Sequence, residues 1–289
     1  MIIDSHAHYS YYLFEGRYKY LDYTEDGYTI AEGTREELFD RMAQRGIGYF
    51  IEPAISLESN GKVISLCSEY PSMVSCSVGV HPTRTSALRW KDRRQLPPLL
   101  DSDGVVAIGE TGLDYHQDRE EQHRLVQLRW FLYQLKLANK KHLPLILHIR
   151  DAHKHALAIL SRYSGRKYGG VVHCYASDSE TAQRYVALGY HIGIGGTLLG
   201  VGERAELLRE AVRDVPLERI LVETDSPYVF PDTTRDIEKG KMKKVRNTSL
   251  ILPAVIEEIA RIKGVSVERV ERITAENAIK LFSLSINNK

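Results

Sequence analysis

Four histidines and two carboxylates stand at the ends of short apolar runs in this 289-residue chain. His6 and His8 follow "MIID", Glu110 closes "VVAIG", and His148 closes "LPLIL". His173 closes "GGVV" and Asp225 closes "RILVET". Histidines at i and i+2 of a strand share a face, so His6 and His8 aim two imidazoles at one point. A metal site needs three or four donors, so the pair must be completed from elsewhere. Four imidazoles and two carboxylates exceed the three protein ligands of a mononuclear catalytic zinc, and they fit a two-metal centre. Such a pair lowers the pKa of a bound water and clamps the attacking and leaving oxygens of a displacement. Nitrogen and oxygen donors without thiolate suit zinc, manganese, iron or cobalt, with magnesium the poorer match. Cys174 adjoins His173, but strand neighbours face opposite ways, which makes it a small buried hydrophobe. His81, in "GVHP", follows a further run, and Arg150 stands two residues after His148. Arg150 suits an anionic substrate; the alternative is a structural pair with Asp151 or another carboxylate.

These residues converge only if the runs end on one rim. The eight runs at 2–6, 48–54, 73–80, 104–110, 143–148, 169–173, 190–195 and 219–225 predict eight strands. Most are too continuously apolar for a sheet with a wet face, so they read as parallel strands covered on both sides. Amphipathic segments alternate with them. Thr34–Glu37 has capping-box spacing, and Asp118–Glu121 offers a looser acidic cap. "FLYQLKLANKKH" carries a helical period. "LILPAVIEEIARIKG" and "SVERVERITAENAIKLF" predict two final helices, the second capped by Ser266. Eight βα units without a G-x-G-x-x-G or P-loop turn predict an α/β fold, a (β/α)8 TIM barrel, as one domain over 1–289. Its active site lies on the rim at the strand C-termini.

Residues 9–33 form an insertion leaving that rim, and 9–28 hold seven of the seventeen tyrosines. Two readings stand: tyrosines that stack on unpaired bases, with Arg17 and Lys19 meeting phosphates, or a small flap packed on itself. The formal net charge of +1 gives no global basic field. A nucleic acid would be held by a local patch such as "EKGKMKKVRN" (238–247), with its five basic residues. Three cysteines without CxxC spacing indicate a reduced, cytoplasmic, disulfide-free protein. No signal peptide or membrane-length apolar run is present, and no obligate protein partner is evident. His116, His123, His142 and His191 fit no converging geometry, and His153 and His155 share no helix face. These six read as surface groups or groups behind the site.

"DSHAH", "GVHP", "GETGLDY", "LHIRDAH", "VVHCYAS" and "LVETDSPY" resemble, in order, the motifs of the TatD family of metal-dependent deoxyribonucleases. That family belongs to the amidohydrolase-like TIM barrels, and the likeness runs from residue 2 to about 282, ending in "AENAIKLF". The resemblance implies a divalent-metal hydrolase, a DNase of 3′–5′ exonuclease type. It assigns His6, His8, Glu110 and Asp225 to one ion, with Glu110 bridging to a second ion held by His148 and His173. Glu110 and Asp225 are then the catalytic carboxylates, with Asp225 also moving the proton, and His81 lies near the scissile group. Two departures bear on substrate choice: the long 9–33 segment and the threonine of "GVHPT". An amide or ester hydrolase on the same metal pair, such as an aminoacyl-tRNA deacylase, is the alternative function. A non-catalytic metal or nucleic-acid binder is a third, which the complete ligand set disfavours.

Overall fold

Each of the eight apolar runs forms a strand in the computed structural model, which describes residues 1–24, 27–117, 120–163, 169–230 and 245–286. The elements are β1 (Ile2–Asp4), β2 (Tyr18–Thr24), β3 (Gly27–Gly33), α1 (Arg35–Gln44), β4 (Ile47–Pro53), α2 (Leu57–Glu69) and β5 (Val74–Val78). They continue as β6 (Val105–Asp114), α3 (Glu121–Lys141), β7 (Leu145–Arg150), α4 (His153–Tyr163), β8 (Gly170–Val172) and α5 (Ser179–Ala187). The chain ends with β9 (Tyr190–Ile194), α6 (Glu203–Asp214), β10 (Ile220–Val222), β11 (Val245–Arg246), α7 (Leu252–Lys263) and α8 (Val267–Phe282).

Eight strands form one sheet in the order β1-β4-β5-β6-β7-β8-β9-β10. The Ser5 amide donates to the Val222 carbonyl at 3.0 Å, and Ala7 bridges Ser226 in parallel, which brings the last strand back to the first. This is the (β/α)8 TIM-barrel fold. Among the described residues, no helix is long and apolar enough to cross a membrane.

The chain divides into two compact units. The first comprises Met1–Ile51, Cys174–Gln183 and Gly193–Ala278. Here the insertion is no loose loop: β2 and β3 pair antiparallel from Tyr18↔Gly33 to Thr24↔Gly27, and β11 adds parallel to β2. Tyrosine favours the pleated, half-buried surface of a strand, which explains the hairpin. Tyr9, Tyr18, Tyr20 and Tyr23 are buried. Arg17 bonds Glu37 at 3.1 Å and lies 3.9 Å from Glu32. Thr34 and Glu37 close the expected capping box on α1. Ser266 accepts the Arg269 amide at the start of α8. Asn277, from the "AEN" motif, donates to the Leu217 and Ile220 carbonyls and pins α8 to the base of β10. The basic segment 238–247 lies outside the described residues up to 244.

The second unit comprises Glu52–His173, Arg184–Ile192 and Ile279–Lys289. β6 and β7 run beyond their expected ends, to Asp114 and Arg150, pairing Gly112↔His148 and Asp114↔Arg150. The register shifts between Ile108 and Thr111, the stretch that holds Glu110. Gly112 allows the strands to meet: a Cβ there would lie 2.0 Å from the His148 carbonyl oxygen. Glu120 caps α3 without a side-chain bond; Asp118, expected as that cap, lies outside the described residues. His191 is buried in β9, which removes the surface alternative for it.

Candidate metal centre

In the second unit, two buried glutamines of α3 set the stage. Residues seven apart share a helix face, and Gln127 and Gln134 turn theirs onto strand ends. Gln127 accepts the Asp114 amide at 2.9 Å and donates to the Asp114 carbonyl at 3.1 Å. Gln134 does the same for Val80, at 2.8 and 3.1 Å, and donates to Thr111 Oγ1. Asn60 of α2 likewise clamps Gly79. Side-chain amides thus hold the end of β6 and the turn carrying His81.

Three imidazoles surround a single carboxylate oxygen there. Glu110 Oε1 lies 2.8 Å from His173 Nε2, 2.9 Å from His148 Nδ1 and 3.3 Å from His81 Nε2. His148 Nε2 lies 3.0 Å from Asp114 Oδ2, and Asp114 Oδ1 accepts the amides of His116 and Gln117. In a neutral His148 the Nε2–H donates to Asp114, leaving the Nδ1 lone pair facing the lone pairs of Glu110. Two lone pairs at 2.9 Å need a cation between them, and a buried metal ion fits this donor set. Without the ion a second proton on His148 serves. Burial pushes the His148 pKa down, yet its bonds to Asp114 and Glu110 outweigh this and raise it. Burial pushes Glu110 up, and His173, His81 and His148 outweigh it, holding the carboxyl well below its ordinary range.

His81 takes the other tautomer. Its Nδ1 accepts the Thr83 amide at 3.2 Å, so Nε2 bears the hydrogen of the neutral ring. Burial, and next His148, hold its pKa below the usual value.

In the first unit, His6 Nε2 and His8 Nε2 lie 3.1 Å apart, and Asp225 Oδ1 is 3.6 Å and 3.3 Å from them. All three donor atoms point inward on one another, which again fits a cation. Asp4 builds this cluster. Its Oδ1 accepts the amides of His6 and Thr224, and its Oδ2 the hydroxyls of Thr224 and Ser249, at 2.6 to 3.1 Å. Burial pushes Asp4 up to about 7 against those four donors. The Asp225 amide donates to the His6 carbonyl at 2.8 Å, and Asp225 sits at φ 54°, a left-handed conformation that aspartate tolerates.

A family model, TatD related DNase, matches residues 3–283. The chain belongs to the TatD family. It is 33% identical over 283 residues to the uncharacterized metal-dependent hydrolase YcfH of Escherichia coli K12, covering 98% of this chain and 96% of YcfH. It is also 33% identical over 255 residues to the 3′-5′ ssDNA/RNA exonuclease TatD of Edwardsiella piscicida, covering 88% and 95%. The crystal structure of YJJV, a TatD homolog of E. coli K12, superposes with a TM-score of 0.80 at 28% identity, covering 98% of both chains. The protein is thus a metal-dependent hydrolase of the TatD family.

Within this TatD chain, the six residues expected as ligands fall into the two clusters, and His81 joins the one around Glu110. Arg150 is exposed at the end of β7 and, among the described residues, makes no ion pair; Asp151 pairs instead with His116 at 3.0 Å. Asp114, Asp4, Gln127 and Gln134 are not singled out by the sequence. Asp114 carries a visible signal, since alternation places it on the same strand face as Glu110.

Proposed function

We propose that this TatD-family chain hydrolyses phosphodiester bonds of DNA, acting from a strand end as a 3′–5′ exonuclease with two divalent ions. The inward-aimed nitrogen and oxygen donors of each cluster carry this reading, and the exonuclease name of the Edwardsiella relative supports it. His6, His8 and Asp225 would hold one ion, and Glu110, His148 and His173 the other. Manganese, zinc, iron or cobalt suits these donors better than magnesium. Bound ions supply a nucleophilic hydroxide and neutralise charge on the phosphoryl oxygens.

The chain's own groups do the rest. Asp225 takes the proton of the attacking water. Asp114 fixes the His148 tautomer so that Nδ1 stays free to bind metal. His81, neutral and bearing its hydrogen on Nε2, donates to a phosphoryl or leaving oxygen, and Thr83 sets that tautomer. Arg150 offers the exposed cation for a neighbouring phosphate.

The deciding assay compares single-stranded DNA, an aryl phosphodiester and an aminoacyl ester, each with Mg, Mn, Zn and Co. Cleavage of the first two, with DNA shortened from its 3′ end, supports the proposal. Turnover of the aminoacyl ester alone would replace it with a carboxylic ester hydrolase.

A further inference from the structure

Of the seven tyrosines in residues 9–28, most are accounted for by packing, but two are not. Half-buried Tyr11 and exposed Tyr12 follow the buried segment that carries His8 and meet a third ring, the exposed Tyr228. The ring centroids run outward in sequence: His8 to Tyr228 6.5 Å, Tyr228 to Tyr11 6.3 Å, Tyr11 to Tyr12 4.5 Å. Tyr12 is 60% exposed and Tyr228 44%, both large for aromatic side chains.

The backbone beneath these rings is tied down. Tyr11–Phe14 form a tight turn, with the Phe14 amide on the Tyr11 carbonyl, and the Phe14 ring is buried against Tyr9 and Tyr18. Arg246 donates to the Leu13 carbonyl in the same turn. On the other side, the Tyr228 amide donates to the Asp225 carbonyl and Asn247 donates to the Tyr228 carbonyl. A fixed backbone that holds aromatic rings in water, starting beside two ligand residues, is pre-organised for a flat partner.

We propose that Tyr228, Tyr11 and Tyr12 are a stacking platform for the unpaired bases of a single-stranded nucleic acid whose scissile phosphate lies at His8 and Asp225. This rests on the phosphodiesterase reading above and names the residues that hold the unpaired strand. Every base presents a π-face, so the platform tolerates any sequence. Bases inside a duplex are already stacked and cannot reach it.

The test uses the full chain with Mn and a short single-stranded oligothymidylate, measuring kcat and KM for the wild type, Y11A/Y12A and Y11F/Y12F. A matched oligonucleotide carries abasic sugars at its last positions. The platform predicts that Y11A/Y12A raises KM for oligothymidylate about 10-fold or more, the size of one or two lost stacks. The loss falls on KM rather than kcat, Y11F/Y12F retains the wild-type KM, and the gap between Ala variant and wild type closes on the abasic strand. An unchanged KM in Y11A/Y12A, or an equal rise on the abasic strand, overturns the platform while leaving the nuclease reading intact. A wild type that leaves oligothymidylate uncut yet hydrolyses the aminoacyl ester overturns both.

Discussion

His148 presents its two ring nitrogens to two carboxylates: Nε2 to Asp114 Oδ2 at 3.0 Å and Nδ1 to Glu110 Oε1 at 2.9 Å. In the proposed centre one carboxylate is a tautomer lock and the other a fellow ligand. The lock decides which nitrogen has a lone pair for metal.

Asp114→Asn keeps the backbone clamp from Gln127 but offers His148 an amide that can donate as well as accept. Affinity for one of the two ions should fall by about 10- to 100-fold, the usual cost of losing such an orienting partner. Metal content after dialysis, beside a thermal melt showing an intact fold, measures this. Unchanged affinity would make Asp114 merely a strand cap.

Gly112→Ala places a methyl where the His148 carbonyl oxygen already sits, at φ +145°. Strand β6 must shift, with a cost of about 3 kcal/mol or more. Tm should drop by roughly 6 °C or more for a chain of this size. A melt within about 1 °C of wild type, well inside that expected drop, would show that the β6–β7 contact yields freely.

For pH, His148 decides the sign. Its folded pKa is raised, so its own contribution to stability is full below the ordinary histidine value and lost as pH rises through the folded value. A metal ion needs that proton gone. The gain in Tm on adding Mn should therefore be larger at pH 8 than at pH 6, read by scanning calorimetry. A gain that is equal, or larger at pH 6, would remove His148 from the ligand set.

Asp225→Asn should lower kcat by about 100-fold or more, the range for losing a general acid–base group. Near-normal turnover with metal bound would move the proton-transfer role elsewhere.

The barrel was legible because parallel strands buried on both faces read as unbroken apolar runs, from "IIDSH" to "RILVETD". The candidate ligands were legible because each ends such a run. Asp114 was not, because the apolar run stops at Glu110; pairing with β7 and the glycine at 112 carry the strand four residues on. The hairpin at Tyr18–Gly33 was hidden by its polar, tyrosine-rich makeup, and its partner Val245–Arg246 lies more than 200 residues away. Asp4 looked like an ordinary strand residue. Its role depends on Thr224 and Ser249, which only the closed fold brings to it.

The central claim is that the two clusters hold catalytic ions. The most direct measurement titrates EDTA-stripped protein with Mn while following cleavage of single-stranded DNA. Activity should be absent at the start and recover to a plateau at two equivalents per chain. Full cleavage by the metal-free protein, or no recovery with Mn, Zn or Co, would contradict it.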